Sequence, residues 1–283
     1  MSTSVVTSSW SRVGKVSPTA LADARLQLHH AAQIAVSAAI SYVVARSDDS
    51  HTALTWIAPL RALATEPITA TRQFRIALRV EDLTLHVLDE KGLPTRSFAL
   101  PGHTVADGHA WLGEVLAQAA LDPARLRARK HYTIPSHPVE SGAPFSLGDS
   151  AEFAELAGYW SNAAGLLEAL ARGTDGAGPV RTWPHHFDMA TLIQLPGAGG
   201  RTIGVGQSPG DDLYAEPYWY VGPHPSPPVA DLPPLAGSGH WHTQGWVGAA
   251  LPASDYVGAS DQRLQVTAFI ESAVAACRRL LGA

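Results

Sequence analysis

The sequence predicts an α+β protein of two similar halves, each running helix, antiparallel strands, helix. Three observations carry that expectation. Four stretches repeat apolar residues at helical spacing, with short alternating runs between them. The order helix, strands, helix occurs twice. A Pro-, Ser- and Gly-rich stretch at 132–147 divides the chain almost evenly, into 1–140 and 141–283, and Ile134-Pro135-Ser136-His137-Pro138 within it is incompatible with regular helix.

In the first half, residues 1–17 read as a frayed or extended lead. Ser17 is a helix cap and Pro18 suits the first helical position. Leu21, Leu28, Ala32, Ala35, Ala39 and Val43 then recur at helical spacing, so the helix is expected to reach about Arg46. His29 and His30 within it are expected to be partly exposed or hydrogen-bonded rather than ligating. Residues 53–57 and 61–68 read as strands. Residues 74–80 and 83–89 alternate apolar and polar around a Glu81-Asp82 hairpin turn, and 96–100 adds another strand. Thr104 with Asp107 three residues on forms a capping box for a helix through Trp111, Val115, Leu116 and Ala119.

In the second half, Asp149 or Ser150 caps a helix from Phe153 through Leu170, closed by Gly173. Residues 182–194 read as one long strand. Gly197-Ala198-Gly199-Gly200 turns into a strand at 202–206, and 208–212 is a loop. Two further strand-like pieces follow, around Glu216 to Val221 and around His240 to Gln244. Ser260 starts a last helix through Leu264, Ile270, Val274 and Cys277. Thr55-Trp56 and Thr182-Trp183 each open a strand, a short identity between the halves.

Composition narrows the function. The chain has 283 residues, 46% apolar and 16% charged, with net charge −5, which suits a buried core and argues against disorder. Basic residues are scattered apart from Arg125-Leu126-Arg127-Ala128-Arg129-Lys130, so no nucleic-acid partner is expected. One cysteine, Cys277, excludes an intramolecular disulfide and a cysteine zinc site. The N-terminus shows no charged region followed by an apolar run. The most apolar window, 31–45, is short and broken by Gln33, Ser37 and Ser41. A soluble, cytoplasmic protein without a membrane partner is expected.

The chemistry-bearing residues gather between 182 and 248. Alternation puts Phe187 and Met189 on one face of a strand and His186 and Asp188 on the other. It sets Glu216, Tyr218 and Tyr220 against Pro217 and Trp219, and His240, His242 and Gln244 against Trp241 and Thr243. If the pieces share a sheet in matching register, His186, Asp188, Glu216, Tyr218, Tyr220, His240 and His242 converge. A His-x-His strand presents two imidazoles about 6.5–7 Å apart, suited to cis positions on one ion. His186, His240 and His242 are therefore the candidate ligands of a divalent transition metal. Glu216, Asp188 and Tyr218 are the candidate catalytic groups, and Trp183, Tyr220 and Trp241 the candidate substrate-binding walls of an aromatic pocket. A metal-assisted hydrolase is one outcome. A metal-free site pairing His186 with Asp188, or His242 with Glu216, is another. In a third, the histidines bond loop carbonyls, the tryptophans are core, and the protein binds or scaffolds without catalysis.

Other motifs are excluded. No His-Glu-x-x-His occurs, and no Glu follows His242 at the cupin distance. The Gly-rich segment 204–210 lacks the Lys and the helix of a nucleotide loop. Ser208 lacks a Gly-x-Ser-x-Gly setting, and Asp211-Asp212 reads as turn chemistry.

Trp183-Pro184-His185-His186-Phe187-Asp188-x-Ala190-Thr191, with Ser208-Pro209-Gly210-Asp211 and Glu216-Pro217-Tyr218-x-Tyr220, resembles an uncharacterised family of bacterial proteins. The resemblance covers about 152–228 and, more loosely, the first half. It implies a cytosolic bacterial α+β protein and carries over no activity.

Overall fold

A computed structural model describes residues 10–126, 132–197 and 199–283. Most of the basic cluster, Ala198 of the expected hairpin turn and residues 1–9 of the expected lead lie outside them. The protein is α+β, with two antiparallel sheets and four α-helices among the described residues. It forms two compact units. The N-terminal unit comprises 20–157 with 181–187. The C-terminal unit comprises the described residues of 1–19 with 158–180 and 188–283.

In the N-terminal unit, α1 spans Ala22–Tyr42. Pro18 opens a 3-10 turn, Pro18–Leu21, rather than the α-helix itself, and Ser17 bonds Thr19 instead of capping. The helix stops at Tyr42, short of the expected Arg46. Val43 is extended, and Arg46 turns away to make a bidentate pair with Glu66 at 2.5 and 2.6 Å. Strands β1 (Thr55–Ile57), β2 (Ala62–Ala64), β3 (Ile68–Thr69), β4 (Gln73–Arg79), β5 (Thr84–Leu88) and β6 (Pro94–Ala99) follow. They pair in the order β1-β2-β4-β5-β6, with β3 also on β4. Register aligns Leu63, Leu78, Leu85 and Phe98 across the sheet, and α1 packs on β4 and on α2 (Val105–Gln118). Both halves of the predicted capping box form. The Asp107 N–H donates to Thr104 Oγ1 at 3.2 Å, and the Thr104 N–H donates to Asp107 Oδ2 at 2.8 Å. The Pro-rich stretch is irregular, as expected, and laced onto α1. Tyr132 Oη donates to Gln33, His30 to the Pro135 carbonyl, and the Ser146 N–H to Gln27.

Helix α3 (Ser150–Gly173) ends where Gly173 was expected to end it. The division between the units falls within it, after Ala157. The expected long strand at 182–194 is broken. A two-residue strand, β7 (Arg181–Thr182), exchanges both backbone hydrogen bonds with Leu54. The chain then turns, with the Phe187 N–H donating to the Trp183 carbonyl at 2.7 Å and Phe187 at φ +60°. Burial in α1 explains the turn. His29 and Gln33, both buried, donate to the Pro184 carbonyl at 2.8 and 2.9 Å, and a straight strand would not offer that oxygen to both.

In the C-terminal unit, β8 (Met189–Gln194), β9 (Thr202–Ser208), β10 (Tyr218–His224), β11 (His240–His242) and β12 (Gly248–Pro252) pair in the order β11-β12-β10-β9-β8. Helix α4 (Gln262–Leu280) packs on β9, β10 and β12. Asp261, not Ser260, caps it, accepting from the Leu264 N–H at 2.9 Å. Strand β12 escaped the sequence reading. Gly248-Ala249-Ala250-Leu251-Pro252 is buried throughout, so no polar alternation marks it.

Candidate functional site

Residues 218, 220 and 222 share one face of β10, and pairing extends that face across the sheet. Tyr218 stands opposite Ser208 and Pro252, and Tyr220 opposite Gly206 and Ala250. On β11, His240 stands opposite Ala250 and His242 opposite Gly248. The structure therefore brings Tyr218, Tyr220, His240 and His242 onto one face. Asp188, just before β8, joins them by accepting from the Tyr220 hydroxyl.

Two residues that sequence reasoning passed over complete the cluster. Asp211 does the turn chemistry expected of it, its Oδ1 accepting from the Leu213 and Tyr214 N–H groups at 2.8 and 3.0 Å. Its Oδ2 also accepts from the Tyr218 hydroxyl at 2.6 Å. The turn holds Tyr214 with its ring 4.6 Å from Tyr218, and its hydroxyl lies 3.0 Å from His240 Nε2 and 3.1 Å from His242 Nδ1. The Asp-x-x-Tyr spacing ahead of Tyr218 was the available signal. His242 Nε2 donates to the Gln244 carbonyl at 2.6 Å. A carbonyl only accepts, so Nε2 carries the proton and, in the neutral ring, Nδ1 accepts from Tyr214. The Tyr214 oxygen in turn accepts from His240. The trio is thus a chain of donors, His240 to Tyr214 to His242, ending on the Gln244 carbonyl as acceptor. Trp246 stacks on His242 at 4.7 Å.

All three phenols stay protonated at neutral pH. Burial raises the Tyr218 pKa first and Asp211 raises it further; burial and then Asp188 raise that of Tyr220. Tyr214 is raised by burial and by Asp211.

The remaining predicted residues are placed elsewhere. His186 is exposed in the turn after Pro184, so strand alternation does not govern it; its ring lies 4.4 Å from His185. Trp183 and His186 belong to the N-terminal unit. Glu216 precedes β10 and accepts from the Ser254 N–H and Oγ at 2.6 and 2.9 Å. Trp241 takes the face opposite the histidines, by register with Ala249, and its indole donates to the Pro233 carbonyl at 2.6 Å. Among the described residues no three His, Cys, Asp or Glu side chains surround a common ion position. Two open grooves of about 570 and 580 Å³ lie in the N-terminal unit, where Phe74, Asp89, Glu90 and Lys91 line both. Neither contains a residue of the predicted set.

Comparison of the chain with known protein families, with curated proteins and with solved structures finds no match. No described helix is long and apolar enough to cross a membrane.

Proposed function

We propose that the polar face of the C-terminal sheet binds a small molecule bearing hydroxyl or amine groups, which donate hydrogen bonds to Tyr218 and Tyr220. One observation carries this: both phenol protons are committed to carboxylates, Tyr218 to Asp211 and Tyr220 to Asp188. Each phenol oxygen then keeps only lone pairs to offer, made richer by the carboxylate behind it. The rings of Tyr214, Tyr218 and Trp246 supply flat walls that suit a polyol or a cation. The His240–Tyr214–His242 chain gives such a site a route for a proton, so acid–base chemistry on the ligand is within its means.

A thermal-shift screen of small amines and polyols tests the proposal. At least one compound should raise the melting temperature, and Tyr220→Phe should weaken its calorimetric affinity by about tenfold, ~1.4 kcal/mol. A screen without binders, or a binder unaffected by both Tyr218→Phe and Tyr220→Phe, ends it.

We further read the protein as a cytoplasmic bacterial one that arose by duplication. Support for duplication comes from the antiparallel sheet flanked by helices in each unit; the Thr-Trp dipeptides do not add to it, because both lie in the N-terminal unit. Bacterial origin and location rest on the family resemblance.

A further inference from the structure

We propose that Tyr214, His240 and His242 bind one divalent first-row transition-metal ion through the Tyr214 phenolate oxygen, His240 Nε2 and His242 Nδ1. A different observation from the phenol–carboxylate pairs carries this. Two imidazole nitrogens, from residues i and i+2 of one strand, converge on one phenol oxygen at 3.0 and 3.1 Å. Ligand atoms about 2.0–2.1 Å from a tetrahedral ion lie about 3.3 Å apart. The two oxygen–nitrogen distances are thus within a few tenths of an ångström of those between ligands of one tetrahedral ion.

The surroundings suit ligation. His242 already donates Nε2–H to a backbone carbonyl, the partner that orients a ligating imidazole and leaves Nδ1 bare. His240 is exposed, so its proton can move to Nδ1 in contact with water and free Nε2. The Asp211 turn fixes the Tyr214 backbone, and Trp246 stacks on His242, so two of the three ligands are positioned in advance. Binding balances as proton displacement. The Tyr214 O–H bond breaks, an oxygen–metal bond forms, and the proton leaves to solvent. Two imidazoles and one phenolate suit zinc or copper, and three protein ligands leave a fourth position for water. Asp188 and Glu216 are not in this set, because Tyr220 and Ser254 occupy their carboxylates.

Full-length, tag-free protein stripped by chelator is titrated with Cu²⁺ and, separately, with Zn²⁺. The wild type should bind one equivalent, and its copper form should show a phenolate-to-copper charge-transfer band in the visible. Tyr214→Phe should lose that band, and Tyr214→Phe and His242→Ala should each weaken Zn²⁺ at least about tenfold. His240→Gln, checked by circular dichroism, supplies the same comparison if His242→Ala does not fold. Asp188→Asn, Glu216→Gln and Tyr220→Phe should bind Zn²⁺ as the wild type does. A wild type without the band, or unchanged Zn²⁺ affinity in Tyr214→Phe, overturns the site. So does an equal loss in Asp188→Asn or Glu216→Gln, which would put the ion elsewhere on the face. Because Tyr220→Phe separates the two, the ligand proposal and the metal proposal can fail independently.

Discussion

The polar face owes its shape to single residues that lack side chains. A Cβ on Gly206 would meet the Tyr220 phenol, and one on Gly248 would meet the Trp246 ring. Both aromatic rings occupy the space a side chain there would need, and can do so only because those positions are glycine. Gly222, on the same face of β10, would place a Cβ in open space. The contrast is testable. Gly248→Ala should destabilise by about 1–3 kcal/mol through overpacking, and should alter tryptophan fluorescence as Trp246 leaves His242. Gly222→Ala should be neutral or slightly stabilising, within about 1 kcal/mol, because a strand glycine costs chain entropy. Equal urea midpoints for the two variants would show that the ring over Gly248 is not held there.

At the scale of elements, the start of α4 works as a clamp on the N-terminal segment, which is not frayed where it is described. Gln262 is buried and uses its whole amide. Its Oε1 accepts from the Trp10 indole and the Val13 N–H, both at 3.1 Å, and its Nε2 donates to the Val13 and Val257 carbonyls at 2.7 and 2.8 Å. Asn162 of α3 holds Ser11 by a second reciprocal pair at 2.8 Å. Gln262→Leu keeps the volume and strands the Val13 backbone, at about 1–3 kcal/mol for each buried group left without a partner. Amide exchange at residues 11–14 should quicken far more than in the core of α4. Protection unchanged at Val13 would mean the segment is held by other contacts.

For the whole molecule, acid is the expected weakness. His86 is buried, with Nδ1 2.7 Å from Ser97 Oγ and Nε2 enclosed without a hydrogen-bond partner. Burial, and next Arg79, lower its pKa below the usual 6.5, against the pull of Asp82. The unfolded chain therefore takes up a proton at His86 before the folded one does. Stability is full above about pH 6.5 and falls as pH drops through that value toward the folded pKa. Carboxylates act lower down. The Arg46 hydrogen bonds lower the pKa of Glu66, and the Thr104 backbone lowers that of Asp107, so their contributions fade only below the ordinary carboxylate range. Melting temperatures should therefore decline between pH 7 and 5.5, and His86→Gln should flatten that decline. A wild-type curve level over that interval would exclude His86 as the cause.

Whatever depends on neighbours along the chain was legible in the sequence. Side chains two apart on a strand share a face, so spacing alone pairs Tyr218 with Tyr220 and His240 with His242. The Thr104–Asp107 capping box and the Gly173 helix end are local in the same sense. Tertiary structure decided what lies between those pairs. Strand β12 sits between β10 and β11 yet carries no alternation, because both its faces are buried. Tyr214 reaches histidines 26 and 28 residues away through a loop whose closure no periodicity records. His186 left the face because two buried side chains of α1 required the Pro184 carbonyl, and Glu216 turned to Ser254, 38 residues on. Alternation follows from backbone geometry within a few residues. Register, loop closure and the choice of hydrogen-bond partner follow from satisfying buried polar groups across long separations, and only the folded chain sets those partners side by side.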